Sequence, residues 1–129
     1  MTVVAEVITI KPYEKIRLNP EQLHALYAQL GHVGAEDVVC RAIEELAVRL
    51  SHCERLWRSN DLPGLRKSAR SLIAIADQVG MTELSNAARA VTFAVDSNEE
   101  AAQGATLFRL IRVGERSLMA IWDLQDLSV

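Results

Sequence analysis

Apolar residues return every three or four positions along most of this 129-residue chain, and the returns sort into five helical segments. The strongest follows Glu36 and Asp37, two acids that favour the positive end of a helix dipole, and runs to about Ser59. Within it Val39, Ile43, Leu46, Leu50, Cys53 and Trp57 are spaced 4, 3, 4, 3 and 4 apart, a narrow seam suited to packing against other helices. Upstream, "LNPEQLHALYAQLG" predicts a shorter helix: Asn19 as N-cap, Pro20 at the first helical position, Gln22 completing a capping box and Leu18 stapled onto Leu23. Its stripe is Leu23, Leu26, Tyr27 and Leu30, Gly31 stops it, and "HVG" leads into the long helix.

Downstream, "SNDLPG" breaks the pattern. A helix from about Leu62 to Val79 then turns Leu65, Ala69, Leu72, Ala76 and Val79 inward, and Gly80 ends it. Thr82 is the predicted N-cap of the next helix, whose seam is Leu84, Ala88, Val91 and Val95. After the turn "VDSNEE", a last helix from about Asn98 to Asp123 buries some of Leu107, Phe108, Ile111, Leu118, Ile121 and Trp122. Short connections make sequential helices neighbours, so the expected fold is all-α: an antiparallel up-and-down four-helix bundle with an additional N-terminal helix over residues 19–129. Residues 1–18, which include "TVVAEVITI" and Pro12, form an extended N-terminal arm of open conformation. Such an arm could give a homo-oligomer by pairing with another subunit, or lie over its own bundle.

Composition removes whole classes of function. Fourteen Lys and Arg against seventeen Asp and Glu leave a formal charge of -3, without the basic field that non-specific nucleic-acid binding requires. No apolar run approaches the roughly 20 residues that span a bilayer, and the first residues lack a cationic leader, so a cytoplasmic location is expected. Cys40 and Cys53 fall on different sides of one predicted helix and cannot readily pair. His24, His32 and His52 have no partners at metal-ligand spacing, and glycine-rich phosphate loops, nucleophile elbows and CxxC pairs are absent. Neither a metal nor a cofactor is expected.

One surface stands out. With its apolar stripe inward, the helix from Leu62 places Arg66, Lys67, Arg70, Ile73, Ala74 and Asp77 toward solvent or a flanking groove. Cations beside an exposed Ile and Ala describe a docking patch; the same wheel also describes an ordinary solvated face whose Arg and Lys stems cover apolar neighbours.

The order "ARSLIAIADQVGMTELSNAARAV", residues 69–91, resembles the signature of histidine-containing phosphotransfer (HPt) domains. Ala69, Ser71, Leu72, Ala76, Gly80 and Leu84 fall on matching positions, "WRSNDLPGLRKSA" resembles the family's lead-in, and the likeness covers most of residues 20–125. The resemblance implies a phosphorelay protein of two-component signal transduction, with a response-regulator receiver domain or a hybrid histidine kinase as partner. The departures fall on the chemistry: Arg70 stands at the phosphoacceptor histidine, Ile73 at the usual lysine and Ala74 at the usual glycine. A guanidinium stays protonated near neutral pH and offers only donors, so it cannot replace imidazole as nucleophile. The implied protein is therefore not an enzyme but a pseudo-phosphotransfer module, docking receivers through Arg66, Lys67, Arg70, Ile73, Ala74 and Asp77 without accepting phosphate. Two rivals stand beside it. One is an active phosphotransfer protein using His52, which has a cation at Arg55 but Leu56 where a small residue is wanted and a seam position beside it that should restrict access. The other is a helical interaction or oligomerisation module outside phosphorelay.

Overall fold

The structure, a computed structural model, describes residues 19–127, with side chains described for residues 19–121. The arm at residues 1–18, the staple from Leu18 and the inward placement of Trp122 lie outside those limits. The described chain is all-helical: α1 spans Pro20–Arg58, α2 Leu62–Gln78, α3 Thr82–Ser97 and α4 Glu100–Leu127. Each helix packs on its successor and α1 packs on α4, which makes the assembly bundle-like, with the α2 and α4 backbones set diagonally and not closely approaching each other. No helix among the described residues is long and apolar enough to cross a membrane.

Among the described residues four helical elements are present, not five, because the expected N-terminal helix and the long helix after it run together as two helical stretches merged across a kink. Gly31 does leave the helical region, at φ 77° and ψ 172°, but helix resumes directly and "HVG" is no loop. The result is one element, α1, with a kink at a residue whose missing Cβ permits a positive φ. Asn19 caps it as expected, its side chain accepting from the backbone N–H groups of Glu21 (3.1 Å) and Gln22 (3.3 Å). The reciprocal half of the capping box is not made. The Asn19 N–H instead donates to the carbonyl of Gly80 (2.7 Å), tying the start of α1 to the α2–α3 turn.

The turns follow from local chemistry. At the end of α1, Asn60 takes φ 60°, its N–H donating to Trp57 (3.0 Å) and that of Asp61 to Leu56 (2.8 Å), the paired bonds of a Schellman motif. Asp61 then caps α2 by accepting from the N–H of Gly64 (3.0 Å). Gly80 repeats the device after α2, with Met81 N–H donating to Ala76 (2.9 Å). That second motif corrects the expected cap at Thr82. Met81 is drawn into the core as the apolar residue closing the motif, so it occupies the N-cap position and Thr82 begins the helix.

Much of the core is the one the periodicity describes, but Leu30 of the expected first stripe is exposed just before the kink at Gly31, and Leu26, Tyr27, Ile43, Trp57 and Val95 are only partly buried. Leu65, Ala69, Leu72, Ala76 and Val79 are fully buried, as are Leu46, Cys53, Leu84, Ala88 and Val91. Small residues on the facing sides, Ser68 and Ala69 on α2 with Ser85 and Ala88 on α3, are also buried and allow a close approach. Cys40 is exposed and Cys53 buried, and burial pushes the Cys53 thiol up from its ordinary value. On α4 the floor is Leu107, Leu110, Val113 and Ile121, whereas Phe108, expected among the inward candidates, is half exposed with its ring edge-on to Trp57.

Candidate functional site

Helix α2 presents its outer face because its inner one is fully occupied: residues 65, 69, 72 and 76 are buried, which leaves 67, 70, 74 and 77 exposed half a turn away. An open depression of about 640 Å³ lies on this face, lined by Pro63, Arg66, Lys67, Arg70, Ser71 and Ala74. Four of the six residues expected from sequence therefore come together. The other two do not line it: Ile73 is half-buried against the core rather than exposed, and Asp77 is engaged with α3.

Two ion pairs join α2 to α3 and show the helices to be antiparallel. Arg66 grips Asp96 with both arms of its fork, Nε donating to Oδ1 (2.7 Å) and Nη2 to Oδ2 (3.2 Å), while Arg89 Nη2 donates to Asp77 Oδ2 (3.1 Å). The Arg66 hydrogen bonds, with the charges of Arg66 and Arg70, hold the Asp96 carboxyl below the usual carboxylate range; the same pair raises Arg66. The clamp is therefore intact above the lowered Asp96 value and is lost as pH falls through it. Arg70 makes no ion pair among the described residues. Its guanidinium is exposed at the middle of the face.

Sequence reading missed the α3 half of this surface. Arg89, Phe93 and Asp96 recur at spacings of 4 and 3 along the exposed side of α3, and the two ion pairs bracket Phe93 opposite the stretch containing Arg70 and Ile73. Phe93 is 79 % exposed, close to the most exposed large apolar side chain described. Only the cross-helix register brings it there, although its place outside the seam of Leu84, Ala88, Val91 and Val95 was a usable signal. Arg66, Lys67, Arg70 and Arg89 against Asp77 and Asp96 give the face a local charge of +2, four cations less two carboxylates, on a chain of formal charge -3.

The histidines are placed elsewhere. His24, His32 and His52 are all exposed, and His32 lies 3.2 Å from Glu36, an i,i+4 pair that corrects the expectation that no histidine has a partner at ligand spacing. The exposure of His52 corrects the expectation that seam packing restricts it: Cys53 alone turns inward at that point of α1. No group of three His, Cys, Asp or Glu able to hold a metal ion occurs among the described residues.

Comparisons with protein-family models, with curated proteins and with solved structures return no match for this chain.

Proposed function

We propose that this chain is a degenerate HPt-like protein of phosphorelay signalling, an up-and-down four-helix bundle that binds response-regulator receiver domains, alone or within a hybrid histidine kinase, and accepts no phosphate at Arg70. The observation that carries the reading is the position of Arg70: the acceptor place of the resembled motif holds a fixed cation, exposed at the centre of a cationic face. A receiver, as the resemblance implies, offers an acidic magnesium-binding pocket. Arg70 supplies a charge for that mouth, Arg66 and Lys67 flank it, and Ala74 and Phe93 supply apolar contact of the kind that anchors interfaces. Competition with, or scaffolding of, true phosphotransfer follows from occupying that pocket.

Arg70→Glu reverses the central charge without touching the core. It is expected to weaken binding of a purified receiver at least about tenfold, roughly 1.4 kcal/mol, in a calorimetric titration. Unchanged affinity for every receiver tested would remove the proposal. Asp96→Asn works in the other direction. It frees Arg66 and raises the local charge by one, so association with an acidic receiver is expected to speed up a few-fold at low ionic strength, with the gain lost in about 0.5 M salt. Stopped-flow association rates at two salt concentrations check this, and a rate insensitive to both the substitution and salt contradicts it.

A further inference from the structure

Helix α4 carries a second seam, and this one faces away from its own core. Ala105, Phe108, Arg112, Glu115 and Met119 are all exposed and recur at spacings of 3, 4, 3 and 4, the interval that keeps a row of residues along one line of a helix facing a partner helix. Phe108 is 51 % and Met119 66 % exposed, large apolar groups at the two ends, with one cation and one anion between them. Reversed end to end, the stripe is complementary to itself, with apolar ends on apolar ends and the cation on the anion. A two-fold axis placed midway between Arg112 and Glu115 sets Phe108 opposite Met119 of a second copy and Arg112 opposite Glu115, each contact occurring twice.

We propose that this stripe is the interface of an antiparallel homodimer, formed by α4 against α4 of a second copy of this chain. Unlike charges meet at the centre and apolar side chains meet at the flanks, whereas a parallel pairing in register would place Arg112 on Arg112 and Glu115 on Glu115. Beside the stripe the α1–α4 seam leaves an open recess of about 310 Å³, where Leu50, Ile111 and Leu118 give the partner further apolar surface between Ser51, Glu54 and Glu115. The Phe108 ring is held in place for this contact by Trp57, whose indole meets it edge-on at 5.8 Å between centroids. Since the α4 backbone lies diagonal to that of α2, with no close approach between them, the dimer covers the side of the molecule away from Arg70 and leaves that face open in both copies. The inference stands independently of receiver binding. Where both hold, the dimer presents two docking faces at once, and avidity toward a dimeric partner follows.

Charge exchange tests the register. Light scattering after size exclusion is expected to show the full-length chain moving from 14.3 kDa toward twice that mass as concentration rises. Arg112→Glu alone and Glu115→Arg alone each place like charges opposite one another twice, and both are expected to remain monomeric at concentrations where the parent chain dimerises. An equimolar mixture of the two variants restores both unlike pairs in the heterodimer and is expected to recover the dimer mass. Met119→Glu, at a two-thirds exposed position, is a further variant expected to be monomeric, and far-ultraviolet circular dichroism checks that each variant keeps its helix content. A parent chain monomeric up to about millimolar concentration, single variants that dimerise as the parent does, or a mixture that stays monomeric would each overturn the proposal.

Discussion

Truncating Leu72 to alanine is expected to lower stability by about 3 to 4 kcal/mol. Leu72 has no solvent exposure and sits in the middle of the stripe Leu65, Ala69, Leu72 and Ala76, so the removed atoms leave a cavity enclosed on every side. Its neighbours along the stripe are alanines, already at minimal size and unable to reach across and fill the space. Collapse of the surrounding helices is opposed by α3, which is held close by small buried residues and by the ion pairs Arg66–Asp96 and Arg89–Asp77. In a chain of this size a loss of 3 kcal/mol corresponds to a fall in Tm of roughly 10 to 15 °C. Chemical denaturation checks it: the midpoint should drop with an unchanged slope, and a loss below about 1 kcal/mol contradicts the packing described. Because Leu72 points away from the outer face, Arg70→Glu should leave the denaturation midpoint nearly unaltered, which separates loss of fold from loss of binding.

Gly80→Ala is expected to cost about 2 to 3 kcal/mol for two reasons that act together. The φ of 77° puts an L-residue in the left-handed region, at roughly 1 to 2 kcal/mol. A Cβ there would also lie 2.9 Å from the Asn19 carbonyl oxygen and 3.1 Å from the Gln22 Cβ, and the first of these is backbone that cannot rotate aside. The same displacement breaks the Asn19 N–H bond to the Gly80 carbonyl, so the first turns of α1 should lose protection in hydrogen exchange ahead of the rest of the molecule. Equal protection in the parent and the variant over residues 20–30 would contradict this coupling. An exposed turn glycine without such a neighbour would show the backbone cost alone.

These two positions also mark how far the sequence could be read. Leu72 was legible because a stripe of period 3.6 is a property of one helix, and every member of the α2 stripe is buried. Gly80 was legible as a helix stop, but its contact with Asn19 was not, because nothing local to either residue joins positions separated by the two helices α1 and α2. The same limit accounts for the misplaced cap. Thr82 is the better capping residue in isolation, and burial of Met81 in the turn outweighs that preference. It accounts also for "HVG", where Gly31 acts as a break inside one element rather than an end.

The candidate site divides in the same way. Arg66, Lys67, Arg70 and Ala74 share a face because they share a helix, and sequence alone groups them. Phe93, Arg89 and Asp96 enter only through the antiparallel register of α2 and α3, which converts a stripe of three cations into a two-helix surface with a clamped Arg66 and an exposed aromatic group. Ile73, read as exposed from the wheel, lies at the edge of the buried stripe, and there the packing neighbour decides its burial.

The central claim is that the α2–α3 face binds receiver domains, and titration of isotope-labelled protein with purified receivers, with and without beryllofluoride, tests it most directly. The account predicts amide shifts concentrated on Arg66, Lys67, Arg70, Ala74 and Phe93 with at least one receiver, and their loss in Arg70→Glu. Shifts confined to α4, or none with any receiver, would contradict it.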